Sequence, residues 1–161
     1  RNHRGRMDLP PGMLEEVFQA LRDTMQVDAS ARIAAEQRVV AMRTVPGYAA
    51  CLTRITLEAS LAVEVRQLAA VVLRQFIRHH WSESADSFTE PSPSDGEKAS
   101  VRAVLTGGLS DGVPRIRTAV SMVIASVAQF DWPDAWPGLM AELIRPLEDA
   151  ANAPGGGGGA A

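Results

Sequence analysis

Few side chains in this sequence are grouped in a way that could do chemistry. His79 and His80 are adjacent, so on a helix they point about 100° apart and chelate poorly. Cys51 is the only cysteine. It excludes an internal disulfide and a cysteine-based metal cluster, and it fits a reducing compartment. It lies in an apolar helical stretch, where a cysteine serves as core filler. Gly107 and Gly108 are followed by no basic residue of the kind a phosphate cradle requires, and they read as a helix stop. The carboxylates form no pair on a common helix face. No catalytic residue, metal site or cofactor is nominated, and the chain reads as a non-enzyme. What remains is a polar stripe of Gln67, Arg74 and Arg78. Such a stripe is ordinarily a solvated face, and the alternative is a docking strip for another protein.

The elements that carry this stripe are helical. Apolar residues make up 46% of the 161 residues but aromatics only 5%, so the apolar content is aliphatic, as in packed helices. Spacing at i, i+3 and i+4 predicts helices over 13–26, 29–43, 46–58, 63–80, 97–105 and 114–130, with a seventh starting near Pro137. Asp28 suits an N-cap, and Pro46 and Pro114 suit first turns. In the fourth helix Leu68, Ala69, Val72, Leu73, Phe76 and Ile77 form the inner side. The sixth is apolar around most of its circumference and should be sandwiched between neighbours. Residues 82–96 break the pattern. They hold Pro91 and Pro93, no lysine or arginine, and Glu83, Asp86, Glu90 and Asp95, and are expected to form an exposed acidic loop. Residues 1–12 read as a disordered leader, 13–149 as the folded domain, and 150–161 as a glycine-rich flexible tail.

The charge balance of −3 argues against direct nucleic-acid binding by the chain as a whole and makes a basic partner easier to accommodate. No apolar run approaches the roughly 20 residues of a membrane span. No secretory signal follows the basic start.

Three even-numbered helices begin alike. Ala31-Arg32-Ile33-Ala34-Ala35, Val65-Arg66-Gln67-Leu68-Ala69 and Ile116-Arg117-Thr118-Ala119-Val120 align without gaps. The arginines at 32, 66 and 117 stand 34 and 51 residues apart, and the longer interval contains the acidic loop. These spacings bracket the about 40–47 residues of paired-helix HEAT units. A helix pair cannot bury both apolar faces alone, so pairs stack. The expected fold is all-α: a HEAT-repeat α-solenoid, a right-handed stack of antiparallel helix pairs with about three and a half repeats. On the repeat alone, an ordinary helical bundle remains the alternative.

Two segments carry a family resemblance. Val65-Arg66-Gln67-Leu68-Ala69-Ala70-Val71-Val72-Leu73-Arg74-Gln75-Phe76 resembles the second-repeat helix of the importin-β family of karyopherins. Phe130-Asp131-Trp132-Pro133-Asp134-Ala135-Trp136-Pro137 resembles the D-W-P-x-x-W-P turn that leads into the fourth repeat in many of them. Physically that turn is a helix entry, with Trp132 and Trp136 plugging the gap between repeats and Pro133 and Pro137 shaping the turn. The similarity runs through His80-Trp81, the polar loop and Arg117, and covers about 13–147.

The resemblance implies a nuclear transport receptor that shuttles between cytoplasm and nucleus. Its N-terminal region would bind Ran-GTP through inner-wall helices and contribute to carrying basic cargo such as histones. Nucleoporins are further partners on the same ground, and no membrane insertion is implied. The family's Ran contacts carry over to Gln67, Arg74, Gln75 and Arg78. Arg66, Arg117 and Asp131 join the tryptophans and prolines as structural motif residues. Whole karyopherins have about twenty repeats, so the chain is expected to be a fragment or a truncated gene product. The competing reading is a structural HEAT scaffold, such as a regulatory subunit of a phosphatase complex. A generic scaffold has no need of the tryptophan turn.

Overall fold

A computed structural model describes residues 9–153. Seven α-helices follow the apolar periodicity: α1 (Met13–Asp23), α2 (Ala29–Met42), α3 (Tyr48–Leu57), α4 (Val63–His80), α5 (Asp95–Leu105), α6 (Pro114–Asp131) and α7 (Leu139–Asn152). No strand occurs among the described residues. The boundaries have local causes. Asp28 caps α2 by accepting from the Ala31 amide at 2.8 Å, and Ser94 caps α5 by accepting from Glu97 at 3.2 Å. Pro114 opens α6, where its missing N–H leaves no bond unmade.

The odd helices α1, α3 and α5 pack on one another in order. On the other side α4 packs against α3 and α6, and α2 against α1. This is the layered stacking of HEAT-repeat helix pairs, and one contiguous apolar core runs through it. Leu21, Leu52, Ile55, Leu73, Ile77 and Ile116 are among its fully buried members. Fully burying such a side chain is worth about 1.5–3 kcal/mol each.

Several expectations are corrected. Leu9 packs against the core and Met13 bonds back to Pro10, so the leader's described end, from Leu9 to Gly12, is part of the fold; residues 1–8 lie outside the described residues. Helix α7 runs to Asn152, past the expected tail boundary, and 154–161 lie outside the described residues. Helix α6 is not sandwiched all round, because Met122 is exposed along with Thr118 and Ser121.

The glycine pair does not stop the chain's winding. A 3-10 turn continues over Thr106–Ser110. Gly108 is there for contact: a Cβ would fall 2.6 Å from Leu57 and 2.8 Å from Val120. Helix α7 buries Leu139, while Met140, Ile144 and Leu147 stay exposed.

The 82–96 segment is bonded to the end of α4 rather than simply solvated. Thr89 donates its amide to the His79 carbonyl at 2.7 Å, and Ser87 donates its hydroxyl to Arg78 O at 3.1 Å. His80 Nδ1 lies 2.6 Å from Thr89 O, the geometry of a ring N–H donor. The first two contacts occupy carbonyls that a helix end otherwise leaves unpaired.

Candidate protein-docking groove

The motif arginines do different work. Arg66 is buried; its Nε donates to Thr56 O at 3.0 Å and its guanidinium pairs with Asp111. Asp111 lies just before α6, so this pair ties the start of α4 to the start of α6. Arg117 is exposed and donates to the Asp111 carbonyl at 2.7 Å. Arg32 is exposed. The shared sequence pattern marks helix starts, not a shared environment.

Asp131 is the hub of the second motif. It is buried and accepts from Trp81 Nε1 at 3.0 Å and from Arg102 at 2.6 Å. Its backbone carbonyl takes the amides of Ala135 and Trp136 at 2.7 and 2.8 Å. The two tryptophans separate: Trp136 is 4% exposed and plugs the core, whereas Trp132 is 47% exposed. The tryptophan plug is therefore supplied by Trp136, and Trp132 stays half-exposed. Pro133 and Pro137 are exposed in the turn.

Sequence reasoning missed Glu97. It is buried and accepts from the Gly47 and Ala50 amides at 3.1 and 3.2 Å, capping the N-terminus of α3 from fifty residues away. An acidic residue at a helix start can be recognised, but the helix it serves here is not its own.

Chemically the interior is quiet. Cys51 is buried, and burial pushes its thiol up to about 11, so the reactive thiolate is scarce near neutral pH.

The four residues Gln67, Arg74, Gln75 and Arg78 come together. All line one groove of about 280 Å³ between α4 and α6, and Arg115, Thr118 and Met122 form its far wall. Arg115 hydrogen-bonds to Gln67 across it. Arg78 and Gln75 are exposed, but Arg74 and Gln67 are half-buried. That corrects the expectation of a fully solvated stripe: α6 packs along α4 and walls this side of it. Arg74 Nε is buried with no acceptor among the described residues. The groove lining contains no carboxylate.

Stacked helix pairs with a cationic groove on their surface define an all-helical domain of the HEAT-repeat class. Residues 35–111 match the family model of the importin-beta N-terminal domain. Importin-9 from Drosophila melanogaster is 24% identical over 143 residues, covering 87% of this chain and 14% of that protein. Human importin-11 is 29% identical over 132 residues, covering 82% of this chain and 13% of that protein. Exportin-2 from Oreochromis niloticus is 27% identical over 139 residues, covering 86% and 14% respectively. The chain is therefore similar to importin-β family karyopherins, with residues 35–111 matching their N-terminal domain. It spans about 13–14% of the length of these relatives.

Proposed function

We propose that this chain is the Ran-GTP-docking end of a nuclear transport receptor that carries basic protein cargo, histones among them, between cytoplasm and nucleus. The observation that carries the reading is the convergence of Gln67, Arg74, Gln75 and Arg78 on one groove. These were the positions that the family resemblance nominated. Arginine's planar fork suits bidentate pairing with carboxylates on a protein partner. Basic cargo would be held elsewhere on the longer receptor, because this groove repels cations. Nucleoporin contacts belong to the same shuttling role.

The test is a pull-down with Ran loaded with GTP or GDP. Retention of the GTP form alone supports the reading. Equal retention of both forms, or of neither, removes it.

A further inference from the structure

The α4–α6 groove does not end at Arg78. Gln75 and Arg78 also line a second groove of about 590 Å³, which reaches the end of α2 at Val40, Arg43 and Thr44 and is closed by Thr89, Glu90 and Pro91. The two depressions therefore adjoin along Gln75 and Arg78 of α4, and together they reach from α2 to α6. Four arginines stand along them: Arg43, Arg78, Arg74 and Arg115. None of the four is in an ion pair among the described residues, and they stand together on one lining. The only carboxylate on the combined lining is Glu90, at one end. A chain of net charge −3 has thus gathered unpaired positive charge in one trough. Like charges held together without counter-charges destabilise a fold unless something of opposite sign binds there.

We infer that this trough is a track for an extended acidic polypeptide segment, with Arg43 and Arg115 holding its two ends and Arg74 and Arg78 its middle. A segment crossing three helices spans roughly 20 Å, since neighbouring helices pack about 8–10 Å apart. That is the reach of about six extended residues. Glutamate side chains along it meet guanidinium forks, and an acceptor entering the groove can satisfy the buried Arg74 Nε. Nucleic acid fits less well. The overall charge is negative, and the groove offers no exposed Phe, Tyr or Trp ring for a base to stack on: Phe76 is buried, and the exposed ring on the lining is the small imidazole of His79. The inference uses the same groove as the proposed docking of Ran-GTP and identifies the partner's chemistry there, but its arginines at 43 and 115 lie outside the residues on which that reading rests.

The probe is a fluorescein-labelled, C-terminally amidated hexaglutamate, titrated into the full chain by anisotropy at low salt. Binding is expected, lost at high salt and absent with hexaglutamine. Arg43→Glu/Arg115→Glu should weaken it by about tenfold or more. Arg43→Gln/Arg115→Gln should give a smaller loss in the same direction and guards against a reversal variant that misfolds. Arg22→Glu, on another part of the surface, should leave binding unchanged. No hexaglutamate binding overturns the track, as does equal loss in the Arg22 variant. Tighter binding of a six-nucleotide RNA than of hexaglutamate overturns it in favour of nucleic acid. If Ran-GTP binds and responds to Arg74 and Arg78 but hexaglutamate does not bind, the track fails and the Ran reading stands. If hexaglutamate binds in the trough and Ran-GTP does not bind, the track stands and the Ran reading fails.

Discussion

The indole N–H of Trp81, at the end of α4, points between the two carboxylate oxygens of Asp131, at the end of α6, 3.0 Å from each. Arg102 from α5 closes the same carboxylate at 2.6 Å, and Lys98 lies 5.8 Å above the Trp81 ring. One buried acid therefore fastens three helices at the junction between successive repeats. Asp131→Ala should cost about 3 kcal/mol in urea unfolding, because it leaves a largely buried guanidinium and an indole N–H without an acceptor. Trp81→Phe, which removes the N–H and part of the ring, should cost less than Asp131→Ala if the carboxylate is the hub. The reverse order would place the fastening in ring packing instead.

The tryptophan motif makes an unequal pair of predictions. Trp136→Ala empties a core position and should lower stability by about 3–5 kcal/mol. Trp132→Ala changes an exposed side chain and should fall within about 0.5 kcal/mol. Thermal melts of the two variants check this, and equal shifts would contradict the assignment of Trp136 as the plug.

Arg66 sets a pH dependence. Hydrogen bonding from Arg66, and then from the Val113 amide, holds the Asp111 carboxyl below its ordinary value of 3.8. A carboxyl with a lowered folded-state pKa contributes stability that is fully present above its unfolded value and lost as pH falls through the folded value. The stability gap between the unmodified chain and Asp111→Asn should be full near about pH 7 and close progressively below about pH 4. Urea midpoints across that range measure it. A gap that stays constant into acid would mean that the pair contributes nothing through ionisation.

Gly107 and Gly108 should part company. A Cβ on Gly108 would meet Leu57 and Val120 well inside contact distance, while one on Gly107 meets nothing within 4 Å. Gly108→Ala should cost about 1–3 kcal/mol through overpacking. Gly107→Ala should be neutral or stabilising by up to about 1 kcal/mol through the unfolded chain. Similar losses in both would show that backbone conformation, not contact, explains the pair.

These relationships mark where sequence reading reached and where it stopped. Helices were legible because apolar periodicity is local, and Asp28 was legible as a cap because its partner is three residues away. The Trp81–Asp131 and Glu97–Gly47 bonds join residues fifty apart and have no local signature. Gly108 reads as a stop until its neighbours across the fold are known. Arg32, Arg66 and Arg117 share a pattern, yet only Arg66 is buried, since burial depends on which helices stack above it. The four nominated surface residues were brought together because they share one face of α4. Arg115 was missed because it joins them from α6. Net charge pointed to a basic partner, and it concealed a trough of the opposite sign because a sum carries no positions.

The central claim is that the α4–α6 groove docks Ran-GTP, and a binding titration of Arg74→Glu/Arg78→Glu beside the unmodified sequence, both within the full-length receptor, tests it most directly. Charge reversal should weaken Ran-GTP binding by about tenfold or more, with part of the loss as a slower, salt-sensitive on-rate. Helical content by circular dichroism should stay unchanged. Equal affinities at low salt, with both proteins folded, would contradict the account.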